Sequence, residues 1–281
     1  MDFPEGTLTI GSDLKVRRLG FGAMRLTGRG IWGPPANEEE ALRVLRRAIE
    51  LGVNFIDTAD SYGPEVSERL IAKALHPYPA GLVIATKGGL MRPGAGQWTP
   101  NCQPAHLKEA CEGSLKRLKL ERIDLYQLHT HDPRVPLEDS IGALAELQAA
   151  GKIRHIGVSN FSVSELKRAQ KIAPIVSVQN MYNMSDRKSD PVLDRCAAEG
   201  LAFLPYFPLA AGNLSRGGSH IDAIAKRHHA TSSQVALAWL LKRSPVMLPI
   251  PGTSSVAHLE ENVAAAKVQL SDDDFRSLAR G

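Results

Sequence analysis

The chain has 281 residues, 43% of them hydrophobic, and a formal net charge of +4. That length allows one large domain or two small ones, with apolar residues enough for a sizeable core. Lysines and arginines are scattered among acids, which describes a solvated surface rather than a nucleic-acid face, and no apolar run approaches the ~20 residues that a membrane-crossing helix needs.

The first residues, from Met1 to Gly6, lack the charged-then-apolar pattern of a secretory signal, so a cytoplasmic protein is expected. Cys102, Cys111 and Cys196 show no paired spacing and are expected to be reduced and unligated. Thr7–Ile10 and Leu14–Arg17 flank Gly11-Ser12-Asp13 and read as a β-hairpin that caps the bottom of the fold. Leu19–Met24 reads as the first core strand, with glycines where a backbone or ligand comes close. A loop from Thr27 to Pro35 follows, and Asn37 is placed to cap a helix ending near Leu51.

From there, short apolar runs alternate with helical patterns to the end. The runs are Val53–Ile56, Leu82–Thr86, Ile123–Leu128, Ile153–Val158, Ile175–Val178, Leu201–Pro205 and Val246–Ile250, eight strands with the first. Pro104 marks one helix start, and Ser162–Glu165 and Thr231–Gln234 have the spacing of capping boxes. This alternation implies a parallel sheet and, with eight units, an α/β fold of the (β/α)8 TIM-barrel type, as one domain spanning residues 1–281. The rival, a doubly wound open sheet, would want Gly-x-Gly-x-x-Gly between a strand and a helix, which the chain does not contain. Two helices, at Thr231–Arg243 and after Ser271, are extra to the eightfold count. The Gly- and Pro-rich loop from Gly88 to Gln103, with Trp98 near its middle, has the length of a loop that shapes a pocket.

Four chemically suggestive residues fall at or just beyond successive strand ends: Asp57 and Tyr62 in Asp-Thr-Ala-Asp-Ser-Tyr-Gly, Lys87 after Ala-Thr, and His129 after Asp-Leu-Tyr-Gln-Leu. Taken singly, each has a plain structural reading: Asp57 a helix cap, Lys87 a solvated strand end, His129 a satisfied polar group. Together they suit carbonyl reduction. A phenol near pKa 10 is a poor acid at neutral pH, so Tyr62 needs a cation such as Lys87 to lower its pKa. Asp57 would hold Lys87 charged, and His129 would orient the carbonyl. His131 lies two residues beyond His129, but no third ligand accompanies them and no metal is expected.

In this order, the tetrad resembles that of the aldo-keto reductases. The surrounding words carry the likeness further: Gly157-Val-Ser-Asn-Phe161, Gln179-Asn-Met-Tyr-Asn183 and Pro251-Gly-Thr-Ser254. The resemblance implies a nicotinamide cofactor that supplies hydride. Gly22, Ala23, Met24 and Asp57 would sit beside it, Ser159, Asn160 and Gln179 would bond its carboxamide, and Tyr206 would stack on its ring. Phe207 and Leu209, with the small residues after it, would follow the pyrophosphate. Gly252, Thr253, Ser254, His258, Glu261 and Asn262 would surround the adenosine end. Trp32 and Trp98 would wall a substrate pocket. Family members commonly carry a Lys at the position of Gly252 and an Arg at that of His258, so NADP is expected with a weakened preference, and NAD remains open. The words Gly30–Pro35 and Pro205–Leu209 look most like small bacterial members that interconvert pyridoxal and pyridoxine. The partner implied is a small carbonyl substrate, in a monomer or weak homo-oligomer. The chain ends soon after its last helix, so a pocket suited to small planar carbonyls is expected. Two alternatives stand beside this: an NAD-dependent sugar or polyol dehydrogenase, and a nucleotide-binding regulatory subunit with little turnover.

Overall fold

The computed structural model describes residues 6–209 and 219–279. The chain opens with an antiparallel hairpin, β1 (Thr7–Ile10) and β2 (Leu14–Arg17). The parallel strands follow: β3 (Phe21–Gly22), β4 (Phe55–Asp57) and β5 (Val83–Gly88). A small antiparallel pair, β6 (Leu90–Met91) and β7 (Thr99–Pro100), stands in the loop after β5. The sheet resumes with β8 (Ile123–Leu128), β9 (Ile153–Ser159), β10 (Ile175–Met181) and β11 (Ala202–Tyr206). Its seven regular strands run in the order β11-β10-β9-β8-β5-β4-β3.

The ring is closed by residues 246–251. Val246 and Leu248 bond across to β11 at Phe203, whose N–H donates to Val246 O at 2.9 Å and whose carbonyl accepts from Leu248 N at 2.8 Å. On the other side, Gly20 N and Gly22 N donate to Pro249 O and Pro251 O. Val246–Ile250, expected as a regular strand, is therefore in strand position but makes only an isolated bridge, Phe203 to Met247. Pro249 and Pro251 have carbonyls to offer but no N–H, so the ladder toward β3 is one-sided. The first strand is also shorter than expected. It ends at Gly22, and Ala23–Leu26 turn into a 3-10 helix.

Helices wrap the outside: α1 (Glu38–Glu50), α2 (Val66–Leu75), α3 (Pro104–Leu118), α4 (Leu137–Ala149), α5 (Val163–Ala169), α6 (Asp190–Glu199), α7 (Ser219–Arg227), α8 (Ser232–Arg243), α9 (Val256–Ala264) and α10 (Asp272–Leu278). Their starts follow from local chemistry. Asn37 accepts from Glu40 N, Pro104 opens α3, and capping boxes stand at Ser162/Glu165 and Thr231/Gln234. Trp239 is buried in α8, stacked between Tyr182 and Phe275, as helix packing.

Inside the ring, Phe55, Val83, Ala85, Leu125, Ala202, Leu204, Leu248 and Ile250 form one cluster with Ile10, Leu14 and Val16 of the hairpin. The hairpin thus plugs one end, leaving the C-terminal strand ends open for chemistry. Where residues 246–251 meet β3 the backbones are too close for a side chain. A Cβ on Gly252 would lie 2.4 Å from the Gly22 carbonyl oxygen, and one on Gly22 would lie 2.6 Å from that of Ile250.

Candidate active site

Strand residues alternate between the two faces of a sheet. Positions two beyond each apolar layer therefore reach the open rim pointing inward. Phe55 leads to Asp57, Val83 and Ala85 to Lys87, and Leu125 to Gln127 and then His129. The register sets Lys87 opposite Gln127 and Gln179 opposite Ser159. One polar layer, drawn from five strands, thus sits directly on the apolar plug.

Its centre is a buried ion pair. Lys87 Nζ donates to Asp57 Oδ1 at 2.6 Å, to the Thr58 carbonyl at 2.9 Å and to the Tyr62 hydroxyl oxygen at 3.2 Å. Lys87 is wholly buried, and these three acceptors use all three of its donors. The second Asp57 oxygen accepts from Gln127 Nε2 at 3.0 Å and Gln179 Nε2 at 2.8 Å. The residue before Lys87 is anchored from behind: Thr86 donates to the buried Glu68 of α2, which also takes Arg117 of α3 at 2.6 Å. Burial works against the Lys87 ammonium, but Asp57 and Tyr62 outweigh it and hold its pKa above the ordinary lysine value.

Tyr62 corrects one expectation. Its phenol is raised, not lowered, because burial exceeds the opposing pull of Lys87. Tyr62 consequently keeps its proton at neutral pH, with Lys87 in place to stabilise the phenolate once the proton leaves. The His129 ring meets the Tyr62 ring edge-on, 5.8 Å between centroids, and its Nδ1 lies 3.3 Å from Ser61 Oγ. Burial first, then Lys87, push the imidazole well below its usual pKa, so it is neutral. Asp60, in the same loop, is a scaffold residue: its N–H donates to Lys87 O and its carbonyl accepts from Glu65 N. Burial and then Glu68 push its carboxyl up to about 8.

A cavity of about 610 Å³ runs from Tyr62 and His129 to Thr253 and Ser254. Gly22, Met24, Asp57, Ser159, Asn160, Gln179, Tyr206, Phe207, Leu209 and Gly252 line it, as does Trp98. Lys87 sits behind Tyr62. Ala23, Trp32, His258, Glu261 and Asn262 are not in the lining, although each was expected near a ligand. Ala23 is fully buried and its carbonyl accepts from Ser67. Glu261 accepts from Thr231, Asn262 is buried in α9, and His258 is exposed on its first turn. The small residues after Leu209, Ala210–Gly217, fall outside the described residues.

Trp32 stands outside the lining beside Arg92, a loop residue in no motif recognised above. Arg92 is buried, and its guanidinium donates to the carbonyls of Gly30, Ile31, Ser61 and Gln97. It lies 3.7 Å from the Trp98 ring centroid and 5.5 Å from that of Trp32. Arg92 thereby ties together three loops around the mouth, with Trp98 on the cavity side. His131, weighed above as a metal ligand, instead meets Glu165 of the α5 capping box at 3.0 Å.

The donor set matches a dinucleotide. At the inner end are Ser159 and Asn160, which can donate and accept, and the free oxygen of Gln179, which accepts, so that together they can meet both ends of a carboxamide. Asn160 holds a left-handed backbone, φ 61°, and donates to His129 O while accepting from the Tyr206 hydroxyl. Such strain at a strand end is characteristic of a built site. Tyr206 offers a flat ring beside them, and the outer end supplies hydroxyls at Thr253 and Ser254.

The sequence profile of the Aldo/keto reductase family matches residues 18–280. The chain belongs to this family. It is 51% identical to an uncharacterized oxidoreductase of Schizosaccharomyces pombe, covering 97% of this chain and 89% of that one. It is 46% identical to the pyridoxine 4-dehydrogenase of Escherichia coli, over 97% and 96% of the two chains. Among solved structures, an aldo/keto reductase from Klebsiella pneumoniae in complex with NADP and acetate superposes with a TM-score of 0.84 at 28% identity, covering 98% and 94%. For an aldo/keto reductase with a neutral buried His129, the sign of one pH effect follows. The folded pKa lies below the unfolded value of 6.5, so the stabilisation is complete above 6.5 and is lost as pH falls below it. The melting temperature of the wild type should drop more steeply below that pH than that of His129→Gln; equal slopes would show that His129 titrates normally.

Proposed function

We propose that this chain is an NADPH-dependent carbonyl reductase for small aldehydes and ketones, with pyridoxal as the substrate to try first. The observation that carries the reading is the Lys87 ammonium held between Asp57 and the Tyr62 hydroxyl at the floor of the cavity.

Bound NADPH supplies the hydride, and the side chains do the rest. Ser61 donating into Nδ1 of His129 leaves the proton on Nε2, which can bond the carbonyl oxygen and orient it. Tyr62 then gives its proton to that oxygen as charge develops there. The resulting phenolate is stabilised by Lys87, whose own charge is fixed by Asp57. Gln127 and Gln179 keep Asp57 aimed at Lys87, and the free Gln179 oxygen, with Ser159 and Asn160, receives the carboxamide. The same atoms serve the reverse reaction. A relative named for pyridoxine oxidation supports the substrate choice, as does the flat wall of Trp98.

Cys102, Cys111 and Cys196 are free and buried, each thiol pushed up to about 12 chiefly by burial. Inert thiols suit a reducing cytoplasm. Among the described residues no helix is long and apolar enough to cross a membrane. We take the working form to be a monomer or weak homo-oligomer.

The test is a panel of initial rates with NADPH and NADH against pyridoxal, aromatic aldehydes, methylglyoxal and simple sugars. The reading expects turnover with NADPH on small aldehydes, pyridoxal included. Tight nucleotide binding without turnover on any carbonyl would instead mark a regulatory subunit.

A further inference from the structure

A dinucleotide brings several negative charges into the cavity, and the described lining contains one arginine and no lysine. That arginine is Arg25, at the end of the 3-10 helix after β3. It is exposed and has no hydrogen-bond or ion-pair partner among the described residues. Two of the three arginines on the neighbouring α1 are already engaged, Arg43 with Glu40 and Arg47 with Glu50 and Glu260. Glu40 in turn accepts from Val256 N at 3.2 Å, so a carboxylate already occupies part of the first turn of α9 and an incoming phosphate needs a cation from elsewhere.

The backbone explains why that cation does not come from the barrel-closing segment. Any Cβ at position 252 would strike the Gly22 carbonyl at 2.4 Å, and 3.6 Å from the same point lies Cγ of Arg25. The Arg25 stem therefore lies beside Gly252, and Arg25 lines the same cavity as the adjacent Thr253 and Ser254. Phe207, Pro208 and Leu209 also line the cavity but carry no charge.

We propose that Arg25 is the specificity residue for the 2′-phosphate of the cofactor, delivering from the β3 end the charge that position 252 has no room to carry. This rests on the cofactor reading above. An arginine facing a phosphate can make two parallel charge-assisted bonds, which a ribose hydroxyl cannot match.

Binding of NADPH and of NADH to the wild type, Arg25→Gln and Arg25→Lys, measured by calorimetry without substrate, decides the matter. Arg25→Gln is expected to weaken NADPH roughly tenfold to a hundredfold and to leave NADH nearly unchanged. Arg25→Lys should fall between, and added salt should weaken NADPH more on the wild type than on Arg25→Gln. Because the side chain is exposed and unpartnered, the variants should melt with the wild type. Equal losses for both nucleotides would put Arg25 on the pyrophosphate and overturn the proposal, as would no loss for either. A wild type that binds neither nucleotide would bring down the cofactor reading itself, and this proposal with it.

Discussion

Replacing Tyr62 with Phe is expected to lower kcat for carbonyl reduction by ~10²–10⁴-fold, the usual contribution of a positioned general acid. The fold and NADPH affinity should survive. The ring stays in its buried place, and Lys87 keeps Asp57 and the Thr58 carbonyl as acceptors. Loss of one hydrogen bond there costs about 1 kcal/mol, small against the stability of a barrel. The measurement is kcat under conditions where chemistry limits the rate, beside calorimetric NADPH binding. A variant with more than about a tenth of wild-type kcat would leave Tyr62 without the role of proton donor, since a general acid contributes far more than that.

The second large effect is expected at Lys87, and it has two readouts. Lys87→Met removes the cation while nearly conserving volume, and leaves Asp57 ionised and buried against only amide donors. Removing one partner of a buried ion pair costs ~3–5 kcal/mol, so the melting temperature should fall clearly. Activity should fall too, because the phenolate loses its stabilising charge. Adding Asp57→Asn removes the stranded charge. The double variant should recover part of the lost stability and none of the activity. If activity returned with stability, Lys87 would be a structural residue whose loss merely loosens the site. If Lys87→Met melted with the wild type, the pair would not be buried as described.

The barrel and its rim were legible because their signals are local. Period-two alternation carries each strand from an apolar layer to a polar end, and the four tetrad residues sit at those ends in words that resemble a known family. The capping boxes and the hairpin were legible for the same reason. What escaped reading depends on contacts distant in sequence. Gln127 looks like one more polar strand residue until the register places it beside Lys87 and against Asp57. Arg92 lies in a loop, and three of the four carbonyls it holds are 31 to 62 residues away, as is one of its two tryptophans. Trp32, expected with Trp98 as a pocket wall, stands beside that guanidinium and outside the cavity lining. The closing segment was expected as a strand because its apolar pattern is right, and prolines, visible in the sequence, deny it a full ladder. Tyr62 shows a competition of magnitudes: the lysine pulls its pKa down as expected, and burial, which a sequence does not display, pulls harder the other way.

The most direct test of the central claim follows the hydrogen itself. Wild-type enzyme, NADPH carrying deuterium on both positions of nicotinamide C4, and pyridoxal are incubated together, and the alcohol product is analysed by mass spectrometry. The account predicts one deuterium on the carbinol carbon of pyridoxine, in amounts matching the NADPH consumed. NADPH consumed without labelled alcohol, from pyridoxal or from a simple aromatic aldehyde such as 4-nitrobenzaldehyde in its place, would contradict it.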